Sequence, residues 1–425
     1  MCLCAFSILK QRCHPIFHQE KMMKPTSFYF VSLIVSASLL LTACNGAGSS
    51  SGAATKIVKI ATQSPLSGDM AVAGTDIRRG AELGLEQMSA SLGKMGFKVE
   101  LVPFDDQGLP EIGVLNAKQI ISDPAILCGI GHYNSGVFLP ASEEYHRAGL
   151  AFVSSANTNP KVTTRGYLEV NRIVGRDDIQ GVVGANFAAA QGLKRAFILH
   201  DKTTYGQEIA EFFKQEAEAK GLRVLGYEGT TEKLNFDMLL TSILAANPDV
   251  IYFGGMAAQS AVLFKQAREK GYQGMFLSDD GFDSSAAAKL GGPALLEGAG
   301  TFYSTVAGPA AVYPGTTRFV ADFKAKYKSD PQPYAAQSYD AMGICLKGIE
   351  AAAQAQNGAI PTRAEVAQAI RAVKDYPGIT GNLTFNAIGD PVVAKYFMMK
   401  VGTADPNQWS TNPIVETLDI APPAP

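Results

Sequence analysis

The sequence predicts an α/β protein of two doubly wound lobes, each a parallel sheet with helices on both faces. Three observations carry this. Short apolar, strand-like runs alternate with amphipathic helical stretches along most of the chain. Two such series are separable, the second starting after Arg172-Ile173-Val174-Gly175. About 380 residues follow Cys44, more than one hydrophobic core normally serves.

The first series opens with strand Ile57 to Ala61. From Ile77 a helix places Ala81, Leu85 and Met88 on one face. Strand Val99 to Val102 ends in Phe104-Asp105-Asp106, and helix Ile112 to Ile121 follows. Strand Ala125 to Ile130, helix Gly136 to Arg147 and strand Leu150 to Val153 complete the series. The second series runs helix Ile179 to Ala190, strand Ala196 to His200, helix Tyr205 to Lys220 and strand Arg223 to Tyr227. Helix Met238 to Ala246, strand Val250 to Phe253, helix Ala258 to Lys270 and strand Met275 to Leu277 end it. Beyond Phe302 come helical patterns at Thr317 to Lys328, Ala335 to Ala353 and Arg363 to Lys374, then strand-like Leu383 to Phe385 and Tyr396 to Val401. The Pro-rich end reads as loose. No repeat of solenoid length is visible.

Ahead of the fold, Lys24 precedes an apolar run from Phe28 to Leu41, and small residues lead to Cys44. That order is a secretory signal, too short to span a bilayer comfortably. Leu41-Thr42-Ala43-Cys44 resembles the lipobox of bacterial lipoproteins, which implies a lipid on Cys44 and an extracytoplasmic, membrane-tethered protein. Met22 and Met23 each offer a start with an ordinary short leader, so residues 1–21 read as an over-called beginning. Cys2, Cys4, Cys13, His14 and His18 would leave with the signal, which argues against a metal site there. Asn45 to Ala54 is a flexible Gly/Ser tether. Inside the fold only Cys128 and Cys345 remain, both on apolar runs, and two buried free thiols are expected. Net charge is −2 with the signs interspersed, so no basic stripe points to nucleic acid.

Motifs for catalysis are absent. The chain has no G-x-S-x-G, H-E-x-x-H or Walker sequence, and Asn134 stands where a dinucleotide fingerprint needs its third glycine. A hydrolytic set could be drawn from Ser135, His132 or His200, and Asp280, but nothing specifies it. No cofactor and no metal are expected. Ligands of parallel α/β sheets bind beyond the carboxyl ends of strands. There the sequence places Gly131-His132-Tyr133-Asn134-Ser135-Gly136, Ser154-Ser155-Ala156-Asn157-Thr158, His200-Asp201-Lys202-Thr203-Thr204-Tyr205, Gly254-Gly255-Met256 and Ser278-Asp279-Asp280-Gly281. Small donors and a helix start on one lobe suit a carboxylate. A carboxylate with apolar surface on the other suits an ammonium. Ser135 and Thr158 serve equally as helix or turn caps, Tyr205 as a core aromatic, and Asp279-Asp280-Gly281 as a plain turn.

The segments GHYNSG, SSANTNPKVTTRGY, HDKTTYG, YFGG and KQAREKGY, in this order, resemble the periplasmic leucine/isoleucine/valine-binding proteins of ABC transporters, from about Lys56 to about Val401. The resemblance implies a type I periplasmic binding fold, two lobes on a three-strand hinge that close on ligand. It also implies a division into signal (1–43), lipidated Cys and linker (44–55), lobe 1 (56–175 with 305–392), lobe 2 (176–304 with 393–415) and loose tail (416–425). Ser135, Ala156 and Thr158, with Asn157 between them, would hold the ligand carboxylate. Tyr205 would cover the ligand, Asp280 would take its ammonium, and Tyr133, Met256 and Tyr334 would border the side-chain pocket. The partners implied are a small amino acid, a membrane permease and the membrane itself through Cys44, the protein acting as a monomer without catalysis. Family members often carry an aromatic near Ala73, a tyrosine at Met256 and a glutamate at Asp280, and a disulfide near Gln107 and Asn134. All of these differ here. The same fold could therefore take an amide, urea-like or aromatic-acid ligand instead.

Overall fold

The computed structural model describes residues 55–423, so the leader, the lipobox and Cys44 lie outside the described residues. Lobe 1 opens with β1 (Lys56–Ser64), α1 (Ala71–Met88), α2 (Ala90–Lys94), β2 (Phe97–Asp105), α3 (Pro110–Ser122), β3 (Ile126–Gly131), α4 (Ser135–Arg147), β4 (Ala151–Ser154), α5 (Lys161–Thr164) and β5 (Val170–Arg172). Lobe 2 follows as α6 (Asp177–Ala190), β6 (Arg195–His200), α7 (Thr204–Ala219), β7 (Arg223–Gly229), α8 (Asp237–Ala245), β8 (Val250–Gly254), α9 (Ala257–Glu269), β9 (Met275–Ser278), α10 (Ser285–Gly291) and β10 (Thr301–Thr305). The chain returns to lobe 1 for α11 (Thr317–Tyr327), α12 (Ala335–Ala355), α13 (Arg363–Arg371), β11 (Tyr376–Gly378) and β12 (Gly381–Leu383). It then ends in lobe 2 with β13 (Ala394–Lys400) and β14 (Ile414–Ile420).

Lobe 1 carries a five-stranded parallel sheet in the order β2-β1-β3-β4-β5. Lobe 2 carries a seven-stranded sheet, β14-β13-β10-β9-β8-β6-β7. The two doubly wound α/β lobes expected from the sequence are present, with one difference. The β10–β13 and β13–β14 pairings are antiparallel. β13 enters its sheet from lobe 1, at the end where β10 leaves, so it must run the opposite way.

Helices cover both sheet faces, which is why the strands read as unbroken apolar runs. In lobe 1, Ile60, Ile130 and Val153 meet Met342, Cys345 and Ile349 of α12 on one face. Ala61 and Phe152 meet Ile120 and Phe138 on the other. In lobe 2, Ile251, Phe253 and Phe276 pack with Phe264 of α9. Tyr252 stacks on Phe213 of α7 across the sheet, ring centroids 3.9 Å apart.

The expectation of free thiols is corrected. Cys128 and Cys345 form a disulfide, with Cα atoms 6.0 Å apart and a sequence separation of 217. β3 lies directly under the buried face of α12, so two residues remote in sequence meet side chain to side chain. The loose tail is corrected as well, since β14 is ordered through Ile420 as an edge strand. Its alternation of half-buried and exposed residues, flanked by prolines, hid it.

The chain crosses between the lobes three times, after β5, after β10 and after β12. Asp390, on the third crossing, ties the first. Its carboxylate accepts from Arg172 Nε at 2.6 Å, Arg176 Nη1 at 3.2 Å and Thr163 Oγ1 at 2.7 Å. Burial pushes Asp390 up, but the two guanidiniums and Thr163 hold it below the usual carboxylate range.

Candidate ligand-binding site

The loops after β3, β4, β8 and β9, the start of α7 and the start of α12 meet in the cleft between the lobes. On lobe 1, Gly131 has φ 118°, and a Cβ there would sit 2.1 Å from the Gln63 carbonyl oxygen of β1. Only glycine lets β3 end so close to β1 and turn into α4. Ser135 is the first residue of α4, buried, its Oγ accepting from the Asn159 N–H at 3.4 Å. Val137 N–H donates back to the Asn134 carbonyl at 3.1 Å, while the N–H groups of Ser135 and Gly136 precede the first helical bond, so the α4 start offers donors and a positive dipole end.

The loop after β4 is braced from within. Asn157 Oδ1 accepts from Ser154 Oγ at 2.8 Å, and its Nδ2 donates to the Tyr133 carbonyl at 3.1 Å. Arg172 Nη1 donates to the carbonyls of Asn157 at 3.3 Å and Asn159 at 2.8 Å. Asn157 therefore spends its side chain positioning the loop, while Ala156 and Thr158 flank it, both buried.

On lobe 2, the HDKTTYG segment builds the α7 start. Asp201 Oδ1 accepts from the Thr203 N–H at 2.9 Å, and Thr203 Oγ1 caps the helix by accepting from Gly206 N–H at 3.0 Å. This fixes Tyr205 in the first turn. Asp279 is the turn residue of its pair, accepting from the N–H groups of Gly255 and Gly281 at 3.1 Å each. Asp280 then faces the cleft. Its Oδ1 accepts from Tyr205 Oη at 2.7 Å and its Oδ2 from Tyr334 Oη, across the cleft, at 2.5 Å. Burial pushes the Asp280 carboxyl up, and the Tyr334, Tyr205 and Gln180 side chains pull it back. Tyr334, just before α12, holds a left-handed φ of 71°. Its ring meets Tyr133 edge-on, centroids 5.9 Å apart. Ala73, Tyr133, Ala156 and Tyr334 share one apolar cluster with lobe 2 residues, Met256 packing at its edge.

The fold brings together the residues singled out in the sequence, and beside them lie three buried polar residues that the sequence reading did not single out. Asp177 and Gln180 of α6 and Arg172 of β5 are fully buried beside this cluster. The rule of reading past strand ends, applied to β5 as to the others, points to them. The histidines are engaged elsewhere. His132 lies 3.1 Å from Tyr145 Oη and 3.2 Å from Asp106, and His200 Nδ1 accepts from the Lys202 N–H at 3.2 Å. Neither forms a dyad with Ser135. Among the described residues no cluster of His, Cys, Asp or Glu is arranged to hold a metal ion.

Donors on one lobe facing a buried carboxylate on the other, in a cleft that three crossings can open, define a two-lobed binding protein. Residues 57–406 match the family model described as periplasmic binding protein. An amino acid binding protein of Pseudomonas aeruginosa is 32% identical over 344 residues, 80% of this chain and 88% of that one. A Leu/Ile/Val-binding protein homolog of Brucella suis is 32% identical over 343 residues, 79% and 88% of the two chains. The crystal structure of a leucine-binding protein, LivK, from Thermotoga maritima superposes with a TM-score of 0.76 at 27% identity, covering 85% of this chain and 98% of that one. The chain belongs to the periplasmic binding protein family, whose members bind solutes without transforming them.

Proposed function

We propose that this chain is the extracytoplasmic substrate-binding component of an ABC importer for branched-chain or other apolar amino acids. One observation carries the reading: Asp280, buried on lobe 2, is tied across the cleft by Tyr334 and faces the donor loops of lobe 1. The ligand carboxylate sits at the α4 start, held by Ser135, the Ala156 backbone and Thr158. The ammonium goes to Asp280 and the Ala156 carbonyl. Tyr205 covers the ligand, and Tyr133, Met256 and Tyr334 border its side chain. A lipid on Cys44 tethers the protein in the periplasm or at the cell surface, where the monomer works. Ligand bridging the lobes shifts the open-to-closed equilibrium, and the closed form delivers to the membrane permease.

Asp280→Asn removes the charge facing the ammonium, and should weaken amino-acid binding by roughly 2–5 kcal/mol in calorimetry. Unchanged affinity would remove Asp280 from the site.

A further inference from the structure

We propose that Glu208 is a closure latch: its carboxylate meets the Asn159 side chain when the lobes come together, and that contact sets how slowly ligand leaves. The inference rests on the amino-acid reading above, in which Ser135 holds the ligand carboxylate.

Glu208 stands in the second turn of α7, on lobe 2. Its Oε2 accepts from Asn159 Nδ2 and its Oε1 from Lys161 Nζ, both on lobe 1. Thr204, four residues earlier on the same helix face, meets lobe 1 as well. A Cβ on Gly136, in the first turn of α4, would lie 3.4 Å from Thr204 Oγ1. One face of α7 therefore reaches across beside the start of α4.

The two partners of Glu208 are unequal. Lys161 is largely exposed, and an ion pair with it is worth little. Asn159 is fully buried and already fixed. Its N–H donates to Ser135 Oγ at 3.4 Å, and its carbonyl accepts from Arg172 Nη1 at 2.8 Å and the Val162 N–H at 3.1 Å. Its Oδ1 accepts from the Lys161 N–H at 2.9 Å. These bonds lie within lobe 1 and survive when the lobes part, whereas Nδ2 is the atom that reaches lobe 2. Asn159 thus presents a preset donor, so little ordering cost is left for Glu208 to meet. A hydrogen bond from such a donor to a carboxylate is stronger than a neutral one.

Asn159 also joins the latch to the ligand. Because Ser135 Oγ accepts from the Asn159 N–H, its own hydrogen remains for the ligand carboxylate. Ligand holds this pair from inside the cleft, and Glu208 holds it from the rim. Glu208 stands apart from the residues that border the ligand side chain, so it acts on every ligand alike. Lobe 1 takes up ligand before α7 arrives, which leaves association unchanged and slows release.

The test compares Cys44→Ser protein with the same protein carrying Glu208→Ala, Glu208→Gln or Lys161→Ala, each refolded to remove bound ligand. Calorimetry with L-leucine, L-isoleucine and L-valine gives affinities. Loss of the radiolabelled amino acid into excess unlabelled gives release rates. Glu208→Ala should release ligand about tenfold faster, with association within about twofold of the parent. Affinities for the amino acids that the parent binds should fall by one common factor. Glu208→Gln keeps an acceptor for Asn159 and should release about threefold faster, since charge-assisted bonds are roughly twice as strong as neutral ones. Lys161→Ala should stay within about twofold of the parent. Without ligand, the Glu208 variants should melt with the parent. A lower ligand-free melting temperature would mark a merely structural role and overturn the latch. Parental release rates in both Glu208 variants would overturn it too, and leave the amino-acid reading standing. So would a loss carried by association, or a Lys161→Ala effect equal to that of Glu208→Ala. Should Glu208→Ala fail to fold, the release rate of Glu208→Gln decides alone. A parent that binds none of the three amino acids would bring down the functional reading, and this inference with it.

Discussion

Asp283 shows how a buried residue close to the candidate site can shape stability. It is buried three residues past Asp280, and its Oδ1 accepts from Trp409 Nε1 at 2.8 Å. Burial pushes its carboxyl from the ordinary 3.8 up to about 7, against the pull of Trp409, Thr305 and Tyr303. A carboxyl raised in the folded state binds more protons there than in the unfolded chain. Its contribution is thus fully present in acid and is lost as pH rises toward about 7. Asp283→Asn keeps an acceptor for Trp409 and removes the titration. Melting curves should show the variant gaining on the parent between pH 5 and pH 8, by up to about 3 kcal/mol. Parallel pH profiles for the two proteins would contradict this. Much of the candidate site's placement was legible in residues that follow strands: Ser135, Thr158, Tyr205 and Asp280 lie where parallel-sheet topology puts ligand loops. The choice of Asp280 over Asp279 came from the family resemblance alone, since residue pattern does not show that Gly255, from a distant strand, donates to Asp279.

At the scale of elements, the legible parts are those whose packing is local. Strands such as β8, with every residue buried, announce themselves as apolar runs, and α7 by its apolar stripe and Thr203 cap. β10 was missed although it lies in the middle of its sheet, because Thr301, Ser304 and Thr305 break its apolar character. The union of β3 with α12 was also invisible, since it joins segments on either side of all of lobe 2. The Cys128–Cys345 disulfide makes that union covalent. Cys44→Ser protein produced in an oxidising compartment should, when unfolded without reductant, yield no reactive thiol, and two after reduction. Reduction should destabilise the fold by about 2–5 kcal/mol, read as an earlier denaturant midpoint. Two thiols titrating before reduction would contradict the pairing.

At the scale of the whole molecule, the lobes make polar contacts across the cleft mouth as well as within it. Glu208 of α7 takes both Asn159 and Lys161 of lobe 1, and Lys233 pairs with Asp69 at 3.0 Å. The lysines and Asp69 are largely exposed, so the two ion pairs add little to closure. The buried interior is where a larger contribution can arise, since Asp280 is desolvated there. On the function proposed above, the ligand's ammonium answers that carboxylate and so favours closure. The most direct measurement is a thermal-shift screen of refolded Cys44→Ser protein against the twenty amino acids. A ligand at about 100 times its dissociation constant should add roughly 2.7 kcal/mol of stability. Selective stabilisation by leucine, isoleucine, valine or another apolar amino acid is the predicted result. Silence across all twenty would contradict the assignment of this cleft to an amino acid.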